Sequence, residues 1–181
     1  MKKTLIAGAA SLALAAMPVV GVFAATTQTD NISVTVNNNC ALTAAHTNGS
    51  SKGTWSSNTL SVTMDPGSVD YNIGKTTLTI TCNYASGYKV TVATTDLVNG
   101  TYSIPAYTTT AYSNSVTGWA PANGSTSTAT KYKSGDVVKQ QSTQVSGATA
   151  DVYYGVGISG TQAAGTYTSG TNAATYTLAA L

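Results

Sequence analysis

The chain has 181 residues, with 8 Lys+Arg against 6 Asp+Glu, a formal charge of 8 − 6 = +2. Every basic residue is Lys and every acidic one is Asp, and only 8% of residues are charged, against roughly 25% in an average soluble domain. This excludes a nucleic-acid binder, which needs a basic face with Arg forks. With 42% hydrophobic residues it also excludes intrinsic disorder.

Lys2 and Lys3 precede an apolar run over 5–22 that Gly8, Ser11, Pro18 and Gly21 interrupt, and Val22-Phe23-Ala24 sets small residues where a signal peptidase cuts. This is the anatomy of a secretory signal peptide of the general export (Sec) pathway, with cleavage expected after Ala24; an uncleaved membrane anchor is the alternative. Removal takes Lys2 and Lys3 with it, so the mature chain, 25–181, has 6 − 6 = 0 net charge. Its length suits one domain with a single core. No later stretch is apolar enough to span a bilayer.

Cys40 and Cys82 are the only cysteines. In an exported chain an even count reads as a disulfide, two free buried thiols being the alternative. Residues of equal parity share a strand face, so Cys40 follows Ile32, Val34 and Val36, while Cys82 follows Leu78 and Ile80. Both thiols then point to the core, closing a separation of 82 − 40 = 42 residues.

Strands are expected over 31–36, 41–44, 59–64, 76–82, 88–94, 151–159 and 173–179. The inward sets include Tyr88, Val90 and Val92, and Val152, Tyr154, Val156 and Ile158. Such alternation means one face buried and one wet. Asn48-Gly49, Asn99-Gly100, Asn123-Gly124 and Asp65-Pro66-Gly67 mark turns. The 107–145 stretch, rich in Ser, Thr, Ala and Gly, is expected to hold one or two weaker strands between long loops. No helical stripe follows the signal. The whole reads as an all-β antiparallel sandwich or barrel.

Chemistry is sparse. His46 is the one imidazole and sits in a Thr/Asn/Ser/Gly-rich stretch read as a loop, and no nucleophile elbow occurs. A secreted hydrolase using His46 is therefore disfavoured, and no catalytic residue, cofactor or metal site is assigned. Asp65 and Asp70 lie near each other but do not fit an EF-hand spacing. Trp55, Trp119 and the 11 Tyr allow a ligand-stacking platform for glycan or cell wall, the alternative being ordinary strand aromatics.

The run Asn39-Cys40-Ala41-Leu42, then Leu78-Thr79-Ile80-Thr81-Cys82, then Gly87-Tyr88-Lys89-Val90-Thr91-Val92, resembles the spore coat protein U group within the chaperone–usher pilin-type sandwiches. The ending is similar too: Tyr153-Tyr154-Gly155-Val156-Gly157-Ile158, Ala164-Gly165-Thr166-Tyr167 and Ala174-Thr175-Tyr176-Thr177-Leu178. The resemblance implies an exported, disulfide-bonded, immunoglobulin-like sandwich at the cell surface: a subunit of a fimbrium, pilus or coat acting in assembly or adhesion. Its implied partners are further copies or other surface subunits, with a periplasmic chaperone and usher. In such subunits a neighbour's N-terminal extension supplies a missing strand. Carried over, the donor lies in 25–36 with Ile32, Val34 and Val36 as its knobs, unless those residues form the domain's own first strand.

Overall fold

A computed structural model describes residues 32–50, 52–107, 112–113, 115–170 and 172–181. The signal peptide and residues 25–31 lie outside the described residues. All strands belong to the unit Val36–Leu181, and the described residues contain no helix. In chain order the strands are β1 (Cys40–Asn48), β2 (Gly53–Ser56), β3 (Thr59–Val62), β4 (Val69–Cys82), β5 (Tyr88–Thr94), β6 (Leu97–Asn99), β7 (Tyr102–Ile104), β8 (Gly118–Ala122), β9 (Val137–Gln141), β10 (Val145–Gly157) and β11 (Ala174–Ala180).

Four strands form one sheet in the order β1-β4-β10-β8, and three form another in the order β11-β5-β9. The hairpins β2–β3 and β6–β7 complete the set. Every named ladder is antiparallel. The expected alternation governs what is buried. Leu78, Ile80 and Cys82 of β4 join Val152 of β10 and Tyr88 and Val90 of β5 in one cluster, with Tyr176 and Leu178 of β11 against it. The two larger sheets thus share a single apolar interior, whose driving force is the removal of this surface from water. A second cluster gathers Ile73, Ile104, Trp119, Tyr154, Val156 and Ile158.

In the β1–β4 ladder Cys40 stands directly opposite Cys82, and the two form a disulfide. The turn into β5 needs glycine. Gly87 has φ +85°, its N–H donates to Tyr84 O at 3.0 Å, and a Cβ there would lie 2.0 Å from Gln141 O. Gly155 serves a different purpose. It lies between the inward Tyr154 and Val156, so its own position faces outward, and Tyr112 OH occupies the space a Cβ would take, 1.8 Å away. Tyr112 is buried there, its ring 5.7 Å from Tyr71, with Lys131 Nζ 5.8 Å from its centroid.

The structure departs from the sequence expectation at particular places. Residues 32–36 carry no strand, and the first strand opens at Cys40 instead; Ile32, Val34 and Val36 are exposed at 87%, 79% and 77%. The strand expected at 76–82 starts earlier, at Val69, because an irregularity opposite Tyr154–Val156 lets β4 continue past a break in its alternation. Strands β2, β6 and β7, of three or four residues, are too short to display a period. The 107–145 stretch holds β8 and β9, as expected. β8 shows no alternation because all five of its residues are buried.

The Cys40–Cys82 bond restrains a 42-residue separation in the unfolded chain, a constraint of about 4 kcal/mol in the chain-entropy account. A Cys40→Ser/Cys82→Ser chain is expected to lose about that much stability in urea unfolding, and adding reductant to the parent should reproduce the loss.

Candidate functional site

β1 and β11 each pair on one side only among the described ladders, β1 with β4 and β11 with β5. They approach each other without forming a ladder. Neither carries a Lys, an Asp or a proline. From this seam a groove of about 1060 Å³ opens. One wall is built by β1 and the β2–β3 hairpin, the other by β11 and residues 162–173, and β4 and β10 supply the floor. The 162–173 segment is held in place through the reciprocal bonds Val98 N–H to Thr168 O, 2.8 Å, and Thr168 N–H to Val98 O, 3.0 Å.

One end of the groove is polar. His46 of β1 stacks on Trp55 with ring centroids 4.1 Å apart and planes 17° apart, and Trp55 meets Tyr154 edge-on at 5.7 Å. The hydrogen bonds of this corner have a direction. Asn58 Oδ1 can only accept, so His46 Nε2–H donates to it, 3.2 Å. Nδ1 of the neutral ring then accepts from the Thr76 hydroxyl, 3.0 Å. Thr76 accepts in turn from Tyr154 at 3.1 Å, and Tyr154 from Tyr176 at 2.8 Å. Each hydroxyl proton in the chain Tyr176–Tyr154–Thr76–His46 is thereby used once. The Trp55 indole N–H is buried beside this network without an acceptor. It lies over Gly74, where a Cβ would come within 2.6 Å of Nε1.

The other end is apolar, with Ile73, Leu97, Ile104, Trp119, Val156 and Ile158 facing the groove. Trp119 is only 5% exposed, and its indole N–H donates to Thr95 O at 3.2 Å. Trp55 and Trp119 therefore do not share an exposed platform: Trp119 is a wall of the second cluster, and one face of Trp55 is already covered by His46. The structure also corrects the placement of His46, which is on a strand and not in a loop. Asp70 Oδ1 accepts from Asn72 N–H at 2.9 Å, and Asp65 closes its turn through its backbone carbonyl.

Burial sets the acid–base character of the corner. It raises the phenols of Tyr154 and Tyr176 above their ordinary value of 10.0, and for Tyr176 the neighbouring Tyr154 adds to the effect. On the exposed face, the Asp151 carboxylate is held below its usual range, first by the Thr77 hydroxyl at 2.6 Å and then by Lys75 at 3.1 Å.

Sequence reasoning had Tyr154 facing inward, but Thr76 and Tyr176 were missed as site residues. Their only signal was a polar atom at an inward parity position, which is costly unless bonded. No family model, curated protein or solved structure matches this chain.

Two outcomes are expected. Trp119→Ala should cost about 3–5 kcal/mol of stability in urea unfolding, as a large core truncation does. Because the Tyr154 and Tyr176 phenols are raised in the folded state, folding keeps protons that the unfolded chain sheds. Their contribution is complete below pH 10 and is lost as pH rises beyond it. Alkaline titration should show their phenolate absorbance appearing together with loss of the fold, and Tyr154→Phe/Tyr176→Phe should remove that component.

Proposed function

We propose that this chain is an exported, non-enzymatic structural subunit of a bacterial surface fibre or coat, of the spore coat protein U and pilin-type kind. Copies join by laying the N-terminal segment 25–36 of one into the groove of the next. The observation that carries the reading is the groove itself: an open seam flanked by the unpaired edges of β1 and β11, with an apolar floor. A strand added there gains main-chain bonds along an edge and pockets for alternate side chains. Ile32, Val34 and Val36 offer such side chains at period two, exposed and outside the chain's own strands.

The strand order supports an immunoglobulin-like sandwich. β1-β4-β10-β8 follows the order A-B-E-D, and β11-β5 follows F-C, with no described strand beyond β11 where G would lie. The disulfide is compatible with an oxidising, extracellular setting. No described helix is long and apolar enough to cross a membrane. Export by the signal peptide over 1–24, and delivery by a periplasmic chaperone and usher, complete the reading.

Sedimentation of the mature chain, 25–181, against a chain lacking 25–36 tests it. The mature chain is expected to form concentration-dependent assemblies, and the shortened chain to stay monomeric with its β-sheet spectrum unchanged. Equal assembly by both would overturn segment donation; a mature chain that is monomeric at every concentration, with or without its export partners, would overturn the subunit role.

A further inference from the structure

The groove is graded along its length, and so is the segment proposed to fill it. At the level of His46 and Tyr176 the lining is an imidazole, an amide and three hydroxyls; towards Val156, Ile158 and Trp119 it is hydrocarbon. In the segment, the positions sharing one face run Thr26, Gln28, Asp30 and then Ile32, Val34, Val36. The polar half comes first and the apolar half second. Asp30 is the only carboxylate side chain before Asp65.

We propose that the polar end of the groove is a recognition pocket for the Asp30 carboxylate of a second copy, and that this contact sets the direction and register of the incoming segment. The inference rests on the strand-accepting role proposed above. No Lys and no Asp lines the groove, so His46 is the one base there that can take a proton and pair with a carboxylate. The pocket also holds a donor in want of an acceptor, the Trp55 indole N–H, buried beside the His46 ring. The Tyr176 hydroxyl, at the outer end of its chain of bonds, can turn from Tyr154 to an arriving oxygen.

The spacing agrees. A strand advances about 3.3 Å per residue, so Asp30 to Val34 covers about 13 Å, the same four-residue rise as from Tyr154 to Ile158. With Asp30 at Tyr154 and Tyr176, Ile32 falls level with Val156 and Val34 with Ile158. Val36 then reaches the Leu97 and Ile104 end. The segment in this placement runs antiparallel to β11, the sense of every named ladder in the fold. The reverse placement sets a carboxylate among Trp119, Val156 and Ile158 without a partner, which an apolar site does not tolerate, and sets Val36 on the hydroxyls.

Fluorescence anisotropy of labelled peptides spanning residues 25–37, titrated with dilute mature chain, tests the pocket without altering the protein's fold. The parent peptide is expected to bind and the Asp30→Asn peptide to bind at least ~10-fold more weakly, the size of a charged hydrogen bond. Equal binding by the two overturns the pocket and leaves strand acceptance standing; no binding by any peptide overturns both. Direction is read by mixing singly substituted mature chains under oxidising conditions. Asp30→Cys is expected to cross-link to Asn58→Cys in another copy, and a cross-link of Val36→Cys to Asn58→Cys overturns the proposed direction.

Discussion

Strand β4 is the member on which the rest of the structure depends. It runs for 14 residues, Val69–Cys82, and pairs with β1 on one side and β10 on the other. Its lower half supplies Leu78, Ile80 and Cys82 to the interior shared with β5 and β11, and its upper half supplies Ile73 to the second cluster. Between the two lies Thr76, the one polar residue in the core, 1% exposed. Its hydroxyl cannot be left unbonded at that depth, and it is bonded on both sides, to His46 and to Tyr154. The polar end of the groove therefore exists because a single β4 position between two hydrophobic stretches carries an oxygen.

Most of the strands were legible because burial on one face writes itself as period two. β5 was read at its observed bounds, 88–94, and its inward Tyr88, Val90 and Val92 are at most 1% exposed. Where burial has another form, the signal disappears. β8 is covered on both faces, and Gly-Trp-Ala-Pro-Ala shows no alternation. Residues 32–36 alternate as clearly as any strand yet pair with nothing in their own chain. The groove was not legible at all, since it is made by edges that meet without bonding and by residues as distant as His46 and Tyr176. Of its lining, the sequence marked His46, Trp55 and Trp119 by residue type, without indicating which of them was open to a ligand.

Electrostatics contributes little to holding the domain together. One ion pair occurs among the described residues, Lys75 with Asp151, at side-chain exposures of 27% and 42%, and pairs so exposed are worth little. The mature chain is neutral, so copies neither repel nor steer one another at long range. Against that background one carboxylate in the N-terminal segment and one imidazole in the groove stand out as the charge-bearing groups available to specify how two copies meet.

The edges differ in how they are protected. Sheets avoid unwanted pairing by placing charge or proline on their open sides. β8 has Pro121 and bridges to Ala106 and Lys131; β9 has Lys139. β1 and β11, which flank the groove, have neither. In a fibre of the proposed kind, tension on segment 25–36 passes through Asn37–Asn39 into Cys40, the first residue of an edge strand, where pulling would peel β1 from β4 one bond at a time. The covalent bond to Cys82 sits at that end of the ladder, so load entering at Cys40 is carried straight into β4, the strand that holds both clusters. A disulfide placed anywhere else in the β1–β4 ladder would leave the bonds ahead of it open to peeling.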